Sequence, residues 1–400
     1  MRRLIERLRG KLSRPVRREI ARVDVLDLLG RKPVNLDTPE LQRFLAGKVV
    51  LVTGAGGSIG SEICRQAMKF CPARIILLDR AENSLFEIDS ELRQRWIGAE
   101  IEPCLADICD TRRINAIFKQ YRPHVVFHAA AHKHVPMMEQ NAAEAVKNNV
   151  FGTKVVADAA LAAGVSAFVL ISTDKAVNPT SVMGATKRCA ELYVQSLNND
   201  TRPTRFLAVR FGNVLASSGS VVPIFQRQIE SGGPVTVTHP GMQRYFMTIP
   251  EASQLVMQAG AIGNGGEIFV LDMGEPIRIL DLATELIRRS GMTAGRDIDI
   301  TFTGIRPGEK LFEELACDNE QTRPTSHAKI RVWQLPPASP QQARRMLEML
   351  QGVTGGTREE VILALSQCVP EYQPPPIPLH ADRPDQASKL RVLAQAARAA

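Results

Sequence analysis

VVLVTGAGGSIGSEI, residues 49–63, decides the fold. An apolar run ends in Thr53 and three glycines at even spacing, Gly54, Gly57 and Gly60, and apolar residues then resume at helical intervals. A glycine loop between a buried strand and a helix is the context that a dinucleotide-binding fold requires. Gly54 allows a tight turn, Gly57 lets backbone approach a pyrophosphate, and Gly60 permits close packing of helix on strand. Asp79 closes the next apolar run, ARIILLD, 25 residues after Gly54, near the spacing of a carboxylate that holds an adenosine ribose.

Outward from this unit the pattern repeats. HVVFHAA, AFVLIST and RFLAVRFGN each end in small or polar residues, with helical stretches such as SEICRQAMKF and AAEAVKNNVFGTKVVADAALAAG between them. Such alternation predicts an α/β chain with a doubly wound parallel sheet whose strand ends deliver functional groups to one edge. We expect a basic N-terminal extension over 1–45 and a nucleotide-binding domain over 46–235, with a strand returning to the sheet near 268–272. A smaller substrate-binding lobe is expected over 236–335, and a helical, Pro-rich tail over 336–400.

The chain has 400 residues, 44% of them apolar, enough for a substantial core, and a net charge of +8. Residues 2–22 alone hold nine Arg or Lys against two Glu. Leu4, Ile5, Leu8 and Leu12 give that leader an amphipathic pattern, for which two readings stay open: peripheral contact with an anionic membrane surface, or packing on protein. The leader lacks the roughly 20 apolar residues of a spanning helix and a secretory apolar region. Seven scattered cysteines without a CxxC pair point to a reducing cytoplasm rather than a disulfide framework. With 5% aromatics and none of the usual motifs, nucleic-acid binding is not expected.

The candidate cofactor contacts are Gly54, Gly57, Ser58, Ile59 and Gly60 in the loop, Asp79 and Arg80 after the second run, Asp107 and Ile108 after the third, and Ala129 and Ala130 after the fourth. A carboxylate at 79 would repel a 2′-phosphate and favours NAD, whereas Arg80 keeps NADP open. Asp107 has two readings, a hydrogen bond to the adenine edge or an N-cap of the following helix. His132 and His134 lack carboxylate or cysteine partners at fixed spacing, so no metal is expected.

STDKAVNPTSVMGATK, residues 172–187, follows the fifth run. Ser172, Thr173, Asp174 and Lys175 reach the same sheet edge as the glycine loop, where an acid and an amine suit proton transfer. The other reading is a surface ion pair of Asp174 with Lys175. Met183 stands four residues before Lys187, where a short-chain dehydrogenase usually has a tyrosine, and a thioether cannot pass a proton.

TGAGGSIGSEICRQ, HAAAHKHVPMMEQN, NNVFGT, STDKAVNPTSVMGATK, RFGNVLASSGSVVPIF, QRYFMTIPEA and GIRPGEKLFEEL occur in this order. Together they resemble the polysaccharide-biosynthesis branch of the extended short-chain dehydrogenases (Rossmann fold), and above all its UDP-N-acetylglucosamine 4,6-dehydratases. Met183 resembles the C5-retaining subgroup, since inverting members keep the tyrosine. The resemblance implies a hydro-lyase, a homo-oligomer, and service to surface glycan synthesis. Bound NAD+ would oxidise C4, a base would take the C5 proton, an acid would assist loss of the C6 hydroxyl, and the cofactor would emerge unchanged. Carried over by position, Thr173 would contact the C4 hydroxyl, Asp174 would be the acid, Lys175 the base, and Lys187 would hold the nicotinamide ribose. Met183 would pack on substrate or nicotinamide. Lys133, Asn213, Arg244, Arg306 and Glu309 are the substrate contacts it implies. A C5-inverting dehydratase, a 4-epimerase and a non-catalytic dinucleotide-binding regulator are the alternatives.

Overall fold

The computed structural model describes residues 38–198, 204–315, 322–334 and 338–375. The basic leader, for which membrane contact was one expectation, and most of the Pro-rich tail lie outside the described residues. No helix among the described residues is long and apolar enough to cross a membrane.

Nine strands form the main sheet: β1 (Val49–Thr53), β2 (Arg74–Asp79), β3 (Ile101–Leu105), β4 (Val125–His128), β5 (Ala167–Ile171), β6 (Arg205–Arg210), β7 (Ile268–Leu271), β8 (Thr322–Pro324) and β9 (Ile330–Trp333). Their order is β8-β9-β7-β6-β5-β4-β1-β2-β3. From β3 to β7 all neighbours are parallel, whereas β9 runs antiparallel to both β7 and β8. After β3 the chain crosses back to place β4 on the other side of β1, which opens a crevice at the C-terminal ends of β1 and β4.

The strands are apolar on both faces because both are covered. Leu51, Ile76, Leu78, Val126, Phe168 and Leu170 enter one core, and their neighbours Val50, Val52, Ile75, Leu77, Phe127 and Val169 enter the other. Two helices matter most for the site. Helix α1 (Ser58–Met68) starts in the glycine loop and buries Ile63, Cys64 and Ala67 on the second face. Helix α2 (Val182–Ser196) is capped by Ser181, whose Oγ accepts from Gly184 N, and is buried along most of its length on the first face. A third cluster, built on Phe225, Ile229, Val235, Leu282, Leu286 and Ile298, forms the core of a smaller lobe.

Two features brace α2. The helices Pro340–Gln351 and Arg358–Cys368, each opened by a capping box, add Met346, Leu350, Val361 and Leu365 to its core. Arg358 Nη2 also donates to Glu139 Oε2 at 2.9 Å, and Glu139 Oε1 accepts from Val182 N at 2.7 Å, so the tail is tied to the first turn of α2. Within the protein, Arg210 is fully buried, donates to both oxygens of Glu191 and stacks 3.8 Å from the Trp333 ring, joining β6, α2 and β9.

Candidate active site

The glycine loop is shaped by close backbone contacts. Gly54 has φ +66°, and a methyl group on it would lie 2.8 Å from Ala130 N. On Gly60 a methyl would fall 2.0 Å from Gly54 O, so the first turn of α1 sits directly on the glycine loop. Asp79 Oδ2 accepts from Gly56 N at 2.9 Å and its Oδ1 from Ala81 N at 2.9 Å, so the carboxylate braces the loop as well as facing the crevice. A cavity of about 170 Å³ opens here, lined by Gly54, Gly57, Asp79, Arg80, Ile108, Ala129 and Ala130, among others. Small residues, a helix N-terminus and a carboxylate at the second strand fit an adenine dinucleotide.

Ser58, Ile59, Gly60, Asp107 and Lys187 do not line that cavity. Ser58 Oγ accepts from Ser218 N at 3.0 Å, which ties the start of α1 to the loop after Val214. Asp107 Oδ1 accepts from Cys109 N at 2.8 Å, while Asp110 caps the next helix by accepting from Arg113 N. The N-cap reading of Asp107 is therefore corrected: its carboxylate closes a turn, and the cap stands three residues later. Ala106, His132 and Asn148 also line the cavity and were missed. Asn148 sits in a π-helical segment, Val146–Gly152, whose Asn149 binds His132 through both backbone groups and donates to Thr186 Oγ1. The doubled asparagine of NNVFGT was the available signal.

The tip of β5 carries the ionisable groups. Thr173 Oγ1 donates to Asp174 Oδ1 at 2.9 Å, and Lys175 Nζ lies 3.0 Å from the same oxygen and 3.1 Å from Asn213 Oδ1. Asp174 is 1% exposed, and its Oδ2 has no hydrogen-bond partner among the described residues. This pair is hence no solvated surface ion pair. Burial favours the neutral amine of Lys175, but Asp174 and Glu313 outweigh it, and its pKa stands above the ordinary value. Lys175, expected to act as the base, is thus held as an ammonium by the carboxylates of Asp174 and Glu313 until its proton is passed on.

Lys187 differs: burial alone drives it down to about 8, with Glu191 pulling weakly the other way. Met183 is 3% exposed and begins the turn that presents Lys187. A methyl on the next residue, Gly184, would meet Lys175 O at 2.1 Å, so α2 is seated directly on the Lys175 turn.

The substrate candidates are spread over four segments: the loops of Lys133 and of Arg306 with Glu309, and the short strands Asn213–Val214 and Gln243–Arg244. Lys133 Nζ is within 3.4 Å of Ser217 Oγ. Arg306 and Glu309 pair with each other, Nε to Oε1 at 3.0 Å, in the 303–310 loop. Arg244 is buried and committed to backbone: its guanidinium donates to Gln243 O, Leu311 O and Lys310 O. It clasps the segment that carries Glu313, a residue that sequence reading passed over although it lies in the quoted GEKLFEEL.

The fold and the cleft define an α/β dinucleotide-binding protein of the extended short-chain dehydrogenase type. The family described as polysaccharide biosynthesis protein matches residues 50–335, and the chain belongs to it. Capsular polysaccharide biosynthesis protein CapD of Staphylococcus aureus is 61% identical over 75% of this chain and 50% of its own length. The chain spans about half the length of that relative and of EpsC of Bacillus subtilis. A UDP-N-acetylglucosamine 4,6-dehydratase (inverting) of Campylobacter jejuni is 34% identical over 68% of this chain and 78% of its own. Among solved structures, Pen from Bacillus thuringiensis is 35% identical with a TM-score of 0.68, over 74% of this chain and 90% of that one. A dTDP-glucose 4,6-dehydratase of Streptomyces venezuelae solved with NAD, at 21% identity and a TM-score of 0.56, covers 63% of this chain and 84% of its own, and shares the fold.

One expectation is corrected by these comparisons. A UDP-glucose 4-epimerase of Rickettsia rickettsii matches at 34% over 69% of this chain and 80% of its own, level with the dehydratase. The family therefore holds enzymes named for both reactions, and the class of hydro-lyase given to this chain does not follow from membership.

Proposed function

We propose that the chain carries out NAD-dependent 4,6-dehydration of UDP-N-acetylglucosamine with retention at C5, in the making of sugars for surface polysaccharide. The observation that carries this is the buried Thr173–Asp174–Lys175 cluster at the sheet edge that also holds the glycine loop. The names of the polysaccharide and dehydratase relatives support it.

When bound, NAD+ supplies a reversible two-electron acceptor for C4 of the sugar, which makes the C5 proton acidic. Gly54, Gly57, Asp79, Ala129 and Ala130 hold the cofactor, and Lys187 orients its nicotinamide ribose. Thr173 contacts the C4 hydroxyl and passes its proton to solvent water, because Asp174 takes its single proton from Lys175. Proton transfer from Lys175 Nζ to Asp174 Oδ1 breaks one N–H bond and forms one O–H bond, giving a neutral amine and a carboxylic acid. Lys175 then takes the C5 proton, Asp174 protonates the departing C6 hydroxyl, which leaves as water, and the Lys175 ammonium returns a proton to C5 as the two electrons taken from C4 come back to C6. Asn213 steadies the Lys175 amine, and Lys133, Arg306 and Glu309 meet the nucleotide diphosphate and its ribose.

Two relatives from Campylobacter jejuni are named as inverting dehydratases, and three from Rickettsia as epimerases. Met183 favours retention, because a thioether supplies no proton from the second face of the sugar and no phenol for epimerisation. Incubation with UDP-N-acetylglucosamine followed by NMR tests the proposal. A 4-keto-6-deoxy sugar of xylo configuration is expected; an arabino product means inversion, a galacto product epimerisation, and an untouched sugar removes the proposal.

A further inference from the structure

Glu313 is the third ionisable group at the Lys175 amine. Its Oε1 lies 3.6 Å from Lys175 Nζ and 3.6 Å from Arg244 Nε, and its side chain is 3% exposed. Glu313 Oε2, like Asp174 Oδ2, is buried with no hydrogen-bond partner among the described residues. A buried carboxylate oxygen without a donor is costly for the anion and costs less once a proton sits on the group. Burial accordingly pushes Glu313 above the usual carboxylate range, against Lys175, with Asp174 adding to the rise and Arg244 and Lys310 opposing it.

The ammonium of Lys175 is thus held by whichever of the two carboxylates is ionised. With Glu313 ionised, two anions fix the proton on Lys175. With Glu313 neutral, only Asp174 holds it, and transfer across their 3.0 Å contact becomes easier. We propose that Glu313, placed by Arg244, is a positioning residue that controls the charge of the Lys175 amine and so decides when the Asp174–Lys175 pair can exchange its proton. Arg244 serves this by clasping the Lys310 and Leu311 carbonyls ahead of Glu313. The charged groups facing the pair are Asp174 and Lys175 from the tip of β5, Arg244 from the lobe, and Lys310 on the same loop, itself bonded to Val177 O and Glu314.

The inference rests on Lys175 being the base of the proposed reaction, yet its test does not need turnover. The full chain, Glu313→Gln and Arg244→Gln are reductively methylated with trace formaldehyde across a pH series, and Lys175 is quantified by peptide mass spectrometry. Only a neutral amine reacts. Loss of the Glu313 charge should move the Lys175 profile to lower pH, raising its labelling at fixed pH by about tenfold, the effect of one opposite charge within ~4 Å. Arg244→Gln should move it to higher pH. A Glu313→Gln profile that superimposes on that of the parent chain overturns the proposal. If circular dichroism shows that variant unfolded, an unmoved Arg244→Gln profile does so instead. The pH dependence of UDP-N-acetylglucosamine conversion is recorded in parallel, and a uniform loss without a shifted limb assigns Glu313 a merely structural part. A parent chain that leaves the sugar untouched counts against the proposed function while the labelling result stands.

Discussion

Gly184 and Lys175 meet backbone to backbone: a methyl on Gly184 would lie 2.1 Å from the Lys175 carbonyl oxygen. That contact seats the first turn of α2 on the turn bearing the acid and the amine. Gly184→Ala should therefore push the two apart, costing about 1–3 kcal/mol as overpacking does. A lowered thermal midpoint together with product formation reduced by about a hundredfold, the cost of a small misplacement of catalytic groups, is expected. Parent-like values for both would contradict so close a seating.

Gly54→Ala tests the cofactor cleft. The positive φ and the nearness of Ala130 N leave no room for a methyl without moving the loop. Calorimetric titration should show NAD binding weakened by at least about tenfold, with a backbone strain of order 1–3 kcal/mol behind it. Unchanged affinity would place the dinucleotide elsewhere.

Much of this was legible in the sequence, and the reasons differ by element. The glycine loop and Asp79 were legible because their role follows from backbone geometry at fixed spacing. The tip of β5 was legible as a place, since four polar or ionisable residues directly after a buried apolar strand gather at the sheet edge. Its charge states were not. Whether Lys175 is an amine or an ammonium depends on Glu313, 138 residues away in sequence and brought to 3.6 Å only by the fold. Arg244 likewise read as a cation for a diphosphate, but three carbonyls claim its donors, and no spacing rule carries that information.

The Arg210–Glu191 pair offers a test of stability. Burial opposes the Glu191 anion, yet Arg210, Arg188 and Ser172 outweigh it and hold its pKa below the usual range. A depressed folded-state pKa contributes stability that is present above the unfolded value, about 4.3, and is lost as pH falls through the lower folded one. Glu191→Ala leaves Arg210 buried without its partner and should cost about 3–5 kcal/mol in urea unfolding at neutral pH. A loss below about 1 kcal/mol would contradict the pairing, since exposed pairs contribute no more than that.

Thr173→Val removes the hydroxyl that donates to Asp174 Oδ1 while keeping the side-chain shape. If Thr173 relays the C4 proton, the rate of cofactor reduction in a single turnover should fall by about a hundredfold, the low end of general acid–base contributions. An unchanged rate removes Thr173 from that step.

The central claim is that Asp174 and Lys175 eliminate water from a sugar oxidised at C4. Its most direct measurement is turnover of UDP-N-acetylglucosamine in deuterium oxide, read by NMR, for the parent chain and for Asp174→Asn and Lys175→Met. The account predicts a xylo product carrying deuterium at C5 from the parent chain and none of it from either variant, each still binding NAD. Deuterated xylo product from either variant at the parent rate, or a parent product with its original hydrogen at C5, would contradict it.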